Sequence, residues 1–229
     1  MAVLRRDFLP EHLAPLLAAN GVDGCIAVQA DQSEMETQFL LDLAREHPFV
    51  RGVVGWVDLR SPQVSERLAH FAADPHFRGV RHLVQGEPND EFLLEPDVVR
   101  GIAALTSLGL TFDLLLVPRQ LRAATRLAAM LPDQRFVLDH LAKPLIKEGV
   151  LEPWASDFAA LAAQPNVSCK LSGLITEADW GGWRPPDLRR YLDVAVETFG
   201  VDRLLWGSDW PVCLLAGSYE EVREVIAEY

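Results

Sequence analysis

Two short segments of this 229-residue chain place a histidine and an aspartate where they could do chemistry together. Residues 138–144 (LDHLAKP) contain His140, and residues 205–211 (LWGSDWP) contain Asp209. Each lies at the end of a short apolar run of the kind that forms a buried strand. A carboxylate beside an imidazole suits hydrolysis of an activated carbonyl, because the aspartate takes a proton from water while the imidazole polarises the oxygen. We therefore interpret Asp209 as a general base and His140 as a carbonyl polariser or metal ligand.

Both residues also have an ordinary structural explanation. A lone histidine in a strand is more often a core residue bonded to a backbone carbonyl. Asp209 lies between Ser208 and the dipeptide Trp210-Pro211, and it could simply cap the following turn. The context of His140 favours a functional role for it, whereas spacing alone does not decide between the two roles of Asp209.

Strands and helices in alternation must position these residues. Seven apolar runs bounded by turn residues predict strands, and segments with the helical period of apolar residues lie between them. This alternation is typical of a parallel sheet with right-handed crossovers, which either closes into a barrel or stays open. The predicted strands cover residues 24–29, 52–59, 79–84, 111–116, 135–140, 167–173 and 203–209.

The strand count is one short of the eight that a (β/α) barrel needs. A helix-like segment at residues 10–20 has no strand before it, and residues 219–229 resemble a helix that stops without a cap. A hydrophobic content of 49% suits one substantial core. We therefore expect a single α/β domain over residues 1–229, a TIM-like (β/α)8 barrel that lacks its first strand and last helix and is truncated at both ends.

Polar residues at the carboxyl ends of parallel strands meet at one mouth of a barrel. Arg81 and His82 end one strand together, and only the inward-pointing one can meet a substrate, because successive side chains alternate between faces. Trp180 and Trp183 lie in a loop rich in glycine and proline, where they either stack on a sugar ring or pack the loop onto the barrel. The polar strand ends are Gln29, Asp58, His82, Asp113, His140, Lys170 or Ser172, and Asp209.

Composition and motifs exclude several classes of function. The 21 basic and 33 acidic residues give a formal charge of −12, which repels nucleic acid and anionic membrane surfaces, so we expect neither as a partner. The chain has no leader-like start and no run of about 18 apolar residues, which predicts a cytoplasmic protein. Motifs of serine hydrolases, P-loop proteins, dinucleotide-binding proteins and zincins are missing from the sequence.

Taken together, four segments resemble the amidohydrolase-related (amidohydrolase 2) family of sugar-lactone hydrolases. They are the His140 and Asp209 segments, the GVRH sequence that ends at His82, and the CKLSG sequence at residues 169–173. The resemblance implies a (β/α)8 barrel that opens the lactone of a sugar acid with water. It implies that Asp209 is the general base and that His140 lies beside the substrate carbonyl or binds a divalent metal. The substrate-binding residues in this comparison are Arg81, His82, Lys143 and Trp210.

Members of this family also carry an H-x-H pair at the end of the first strand, and the six histidines of this chain include no such pair. Without this pair, at most two of the ligands that the family would supply to a metal remain, His140 and Asp209. A catalytic zinc normally has three protein ligands. The cofactor prediction is therefore none or a divalent metal such as Zn. Two alternatives to lactone hydrolysis stay open: decarboxylation, as in related amidohydrolase-like barrels, and an inactive fragment of such a barrel.

Overall fold

Seven parallel strands form one curled sheet in the structure, a computed structural model that describes residues 2–229. Strand order follows chain order, and every neighbouring pair is parallel. All seven strands predicted from apolar runs are present. The strands are β1 Cys25–Val28, β2 Val50–Gly55, β3 Phe77–His82, β4 Thr111–Leu114, β5 Phe136–Leu138, β6 Val167–Leu171 and β7 Leu204–Trp206.

Helices separate successive strands, as parallel pairing requires. The segment predicted as helical at residues 10–20 forms a helix before β1, and the segment at residues 219–229 contains a helix that follows β7. None of the helices within residues 2–229 is long and apolar enough to cross a membrane. The helices are α1 Pro10–Ala19, α2 Glu34–Glu46, α3 Val64–Ala72, α4 Pro96–Thr106, α5 Leu121–Met130, α6 Trp154–Ala162, α7 Leu174–Glu177, α8 Pro185–Phe199 and α9 Tyr219–Ala227.

Several strands end earlier than the apolar pattern predicts. The pattern extends β2 to residue 59, β6 to residue 173 and β7 to residue 209, whereas these strands end at Gly55, Leu171 and Trp206. The polar residues beyond these ends lie in loops, where the backbone turns instead of continuing the ladder. Asp209 is therefore a loop residue rather than the last residue of a strand.

The two faces of the sheet carry different side chains. Phe112 and Leu114 of β4 and Phe136 of β5 are fully buried in the hydrophobic core that also includes helix residues. Asp113 lies between the first two in sequence and points to the opposite face, and the register places it beside Arg81 of β3. The charged residues Arg81 and Asp113 of these neighbouring strands therefore lie side by side on the inner face of the curled sheet.

Candidate active site

His140 leaves β5 in a left-handed turn. Four consecutive non-glycine residues, 140–143, have φ angles of 52°, 51°, 57° and 53°. This conformation costs an L residue roughly 1–2 kcal/mol. The backbone N–H of Ala142 donates to the carbonyl of Asp139 at 3.0 Å, and the indole N–H of Trp154 donates to the carbonyl of Leu141 at 2.8 Å. Strained backbone persists only where its surroundings enforce it, and such segments cluster at functional sites.

Asp209 approaches His140 from the loop that follows β7. It also has a positive φ, 53°, and a cis peptide bond joins Trp210 to Pro211 just after it. Nε2 of His140 lies 3.6 Å from Oδ1 of Asp209, and the two side chains are 12% and 16% exposed. This separation is too long for a direct hydrogen bond, so both groups can bind a third polar atom placed between them.

Four charged side chains form a buried network behind this pair. Nζ of Lys170 lies 2.5 Å from Oδ2 of Asp113 and 2.6 Å from Oδ1 of Asp139. Nη1 of Arg81 lies 2.8 Å from Oδ2 of Asp139, and its Nε donates to Oε1 of Gln29 at 3.0 Å. Because Asp139 directly precedes the left-handed turn, the network fixes the backbone from which that turn begins.

Burial and neighbouring charges move the pKa values of the network in different directions. Burial raises the pKa of Asp113 in spite of Lys170, and the carboxylate of Asp139 adds to this increase. Burial also raises the pKa of Asp139, but Lys170 and Arg81 outweigh this effect and hold the pKa of Asp139 well below its usual range. Burial alone would lower the pKa of Lys170, yet the two carboxylates raise it above its ordinary value. Lys170 therefore stays protonated and Asp139 stays ionised near neutral pH.

The two residues that end β3, Arg81 and His82, point to different faces. Arg81 projects inward and joins the ion network, whereas His82 is buried on the other face. The indole N–H of Trp56 donates to Nδ1 of His82 at 3.3 Å, and Nε2 of His82 lies 2.7 Å from Oε1 of Glu87. The ring also stacks on Phe92, with 4.8 Å between centroids. Because Nδ1 must accept from Trp56, the neutral ring carries its proton on Nε2, and protein groups already occupy both nitrogens.

Lys143 and Trp210 follow His140 and Asp209 closely in sequence. Nζ of Lys143 is 3.4 Å from Oε1 of Glu177. Trp210 packs edge-to-face on Phe8, with 5.2 Å between ring centroids, so residues before α1 lie against the loop that carries Asp209. These two predicted substrate-binding residues therefore contact other segments of the chain, Lys143 the end of α7 and Trp210 the residues before α1.

Other residues of the predicted mouth have separate local contacts. The carboxylate of Asp58 is exposed and lies 4.0 Å from Nε of Arg60. Trp180 and Trp183 each donate their indole N–H to a backbone carbonyl at 2.8 Å. Trp183 packs against the hydrophobic core and Trp180 is half exposed, so one of the two indoles anchors the loop while the other faces solvent.

Comparison with known proteins identifies the family. The model of a family described as amidohydrolase matches residues 2–228. The chain belongs to the amidohydrolase family. The L-fucono-1,5-lactonase of Burkholderia multivorans is 44% identical over 239 residues, which covers 100% of this chain and 80% of that protein. The L-fucono-1,5-lactonase of Burkholderia ambifaria is 44% identical over 217 residues, which covers 93% of this chain and 73% of the relative.

Solved structures agree with this amidohydrolase assignment. The crystal structure of an amidohydrolase from Burkholderia multivorans with bound zinc matches with a TM-score of 0.95 at 44% identity, covering 100% of this chain and 82% of that one. A 2,6-dihydroxybenzoate decarboxylase matches with a TM-score of 0.62 at 16% identity, covering 96% and 85%, which shows the fold alone. The predicted family and TIM-barrel-like fold are therefore confirmed.

The donors in the described part of this amidohydrolase do not make a complete metal site. Within residues 2–229, no three His, Cys, Asp or Glu side chains converge as a ligand set. His140 and Asp209 supply two donors, and a catalytic zinc normally has three from the protein. The donors present do not by themselves fit a catalytic zinc.

Asp139 is the residue of this amidohydrolase site that sequence reasoning missed. Asp113 and Lys170 were recognised only as polar strand ends, and Asp139 received no role. A signal for it existed, because Asp139 lies two residues beyond Val137, the residue that the register pairs with Asp113. Alternation along β5 therefore carries the Asp139 side chain to the inner face, where an unpaired carboxylate would be costly.

Proposed function

We propose that this chain is a hydrolase that opens a sugar-acid lactone with water. The observation that carries the proposal is the juxtaposition of His140 and Asp209, 3.6 Å apart in a largely enclosed site. Two L-fucono-1,5-lactonases at 44% identity support a sugar lactone as the small-molecule substrate. L-fucono-1,5-lactone is accordingly the first substrate to test.

Asp209 acts in this mechanism as the general base. Its carboxylate takes a proton from a water molecule while the water oxygen forms a bond to the lactone carbonyl carbon. The electron pair of the carbonyl moves to its oxygen, and the imidazole of His140 stabilises the charge that develops there. The bond between the carbonyl carbon and the ring oxygen then breaks, and the ring oxygen takes the proton from Asp209. The product is the open hydroxy acid, which ionises to the aldonate.

Four further residues complete the proposed site. Lys143 lies in the same turn as His140 and Trp210 directly follows Asp209, and we assign them to contacts with the hydroxyl groups and the ring face of the sugar. Arg81 and His82 act through their neighbours, Arg81 by holding Asp139 and His82 by holding the loop that contains Glu87. The predicted cytoplasmic location and the exclusion of nucleic-acid and membrane partners stay predictions.

A divalent metal such as zinc would supply Lewis-acid chemistry at the lactone carbonyl. Zinc is bound in the crystal structure of the amidohydrolase from Burkholderia multivorans. The two donors present here do not fit a three-ligand site, so the steps above use only the residues of this chain. Activity measured after chelation, with and without added zinc, tests whether the cofactor is none or a divalent metal.

The Asp209→Asn variant tests the proposed role of the base. Asparagine keeps the shape of the side chain but cannot accept the proton, so lactone opening should fall about 10²- to 10⁴-fold. Acid release from L-fucono-1,5-lactone at constant pH reports the rate, and circular dichroism reports the fold. The matched control is Asp58→Asn, whose exposed carboxylate has Arg60 rather than His140 as its charged neighbour, and it should keep full activity.

Two results would overturn this function. Retention of lactone opening in Asp209→Asn would remove the proposed base. Release of carbon dioxide from 2,6-dihydroxybenzoate without any opening of sugar lactones would favour the decarboxylase alternative instead.

A further inference from the structure

We propose that Ser172 is a positioning residue that holds the ring of His140 with its proton on Nε2. In this state His140 meets the substrate as a hydrogen-bond donor rather than as a base. The inference rests on the proposed lactone hydrolysis for its kinetic test. Its spectroscopic test uses the ligand-free protein and does not depend on any activity.

Ser172 and His140 satisfy each other's polar groups. Ser172 follows β6 and is only 3% exposed, and its Oγ lies 2.8 Å from Nδ1 of His140. The side chain of His140 is itself largely buried. A buried hydroxyl and a buried ring nitrogen each need a partner, so breaking this contact would leave both without one.

Asp209 decides which nitrogen of His140 carries the proton. Its Oδ1 lies 3.6 Å from Nε2, and a carboxylate attracts an N–H group but repels a nitrogen lone pair. The neutral ring is therefore protonated on Nε2, which leaves Nδ1 as the acceptor. The hydroxyl of Ser172 then donates to Nδ1 and stabilises this tautomer.

Gly173 confines the His140 ring on another side. Gly173 has a φ of 64°, and a Cβ atom built on it would lie 2.8 Å from both Cβ and Cγ of His140. The imidazole therefore packs directly on the backbone at this position, which only glycine permits. Ser172 is confined in turn, since a Cβ atom on Gly207 would lie 3.1 Å from the Cβ of Ser172. Contacts from the segments that follow β6 and β7 thus fix the orientation of the ring.

This orientation has a direct chemical consequence. An N–H donor that is already aimed at the site stabilises a developing oxyanion without reorganisation during the reaction. Ser172 contributes to this effect without touching the substrate, because it is buried behind the ring. It should therefore affect the chemical step more than substrate binding.

Nuclear magnetic resonance of the full chain labelled with ¹⁵N-histidine tests the tautomer directly. His140→Gln identifies the signals of His140 by their loss. We expect the wild-type protein to show neutral His140 protonated on Nε2, and Ser172→Ala to change the shift of Nδ1 and to populate the other tautomer. A wild-type ring protonated on Nδ1, or an unchanged spectrum in folded Ser172→Ala, would overturn the proposal.

Kinetics test the consequence for the reaction. Ser172→Ala should lower kcat by about 10- to 100-fold, as loss of a group that orients a functional histidine commonly does, and KM should change by less than about threefold. Ser172→Cys keeps a weak donor of similar size and should recover part of the loss. Ser168→Ala, within the preceding strand β6, is the matched control and should have unchanged kinetics.

The kinetic outcomes separate the two proposals. Equal kcat values for wild type and folded Ser172→Ala would refute the positioning role while leaving lactone hydrolysis intact. A wild-type protein that opens no sugar lactone would refute the proposed function, and the tautomer measurement would still decide the role of Ser172.

Discussion

Replacement of Lys170 by methionine should cost far more stability than the same replacement at the surface. Lys170 is the cation shared by Asp113 and Asp139, whose side chains are 2% and 0% exposed. Methionine keeps much of the packing of the lysine stem but leaves Asp113 without its cation, whereas Asp139 retains Arg81. Removal of one partner from a buried pair costs about 3–5 kcal/mol, and we expect about 3 kcal/mol near neutral pH because only Asp113 loses its ion-pair partner.

The stability lost in Lys170→Met should become smaller as the pH falls. Burial already raises the pKa of Asp113, and loss of Lys170 raises it further, so the variant can take up a proton in place of the missing cation. A group whose pKa is higher in the folded state stabilises that state at low pH and loses the contribution as pH rises. The difference between wild type and Lys170→Met should therefore shrink on acidification, by up to about 1.4 kcal/mol per pH unit.

Urea unfolding followed by tryptophan fluorescence measures both effects. Lys147→Met is the matched control, because Lys147 and its partner Asp179 are 62% and 63% exposed and lie 3.6 Å apart. Loss of such a surface pair should cost less than about 1 kcal/mol. Equal losses in the two variants, or a Lys170→Met cost that does not vary with pH, would refute the account of the buried network.

Three further predictions follow from the packing and charge of the chain. Asp139 has a lowered pKa, so its contribution to stability is present above about pH 4 and is lost as the pH falls further. The urea midpoint of the wild-type protein should therefore drop on acidification, and that of Asp139→Asn should drop less. Gly101→Ala should cost about 1–3 kcal/mol, because its Cβ would lie 2.2 Å from the carbonyl oxygen of Leu59, whereas Gly86→Ala meets nothing within 4 Å and should unfold at nearly the wild-type urea concentration. Burial raises the pKa of Cys213 to about 12, so alkylation of this thiol should be slow at mildly alkaline pH until the protein unfolds; rapid labelling of the folded chain would contradict this burial.

The order of the secondary structure and a candidate catalytic pair are both predicted from the sequence. Apolar runs predict all seven strands, because buried parallel strands are mostly apolar and have turn residues at their ends. The segments around His140 and Asp209 resemble a known family closely enough to predict both the barrel and the reaction class. The family is confirmed, while the assignment of individual site residues stays a prediction.

Only the tertiary structure decided how these residues are held. Local propensity disfavours the left-handed turn at residues 140–143, so no sequence pattern predicts it; contacts from Asp139, Trp154 and Ser172 enforce it. Likewise, Lys170 can bridge Asp113 and Asp139 only because register and curl bring three separate strands to one inner face. The periodicity of the sequence predicts the face of the sheet to which a side chain points. The partners of that side chain depend on segments that are far away in sequence.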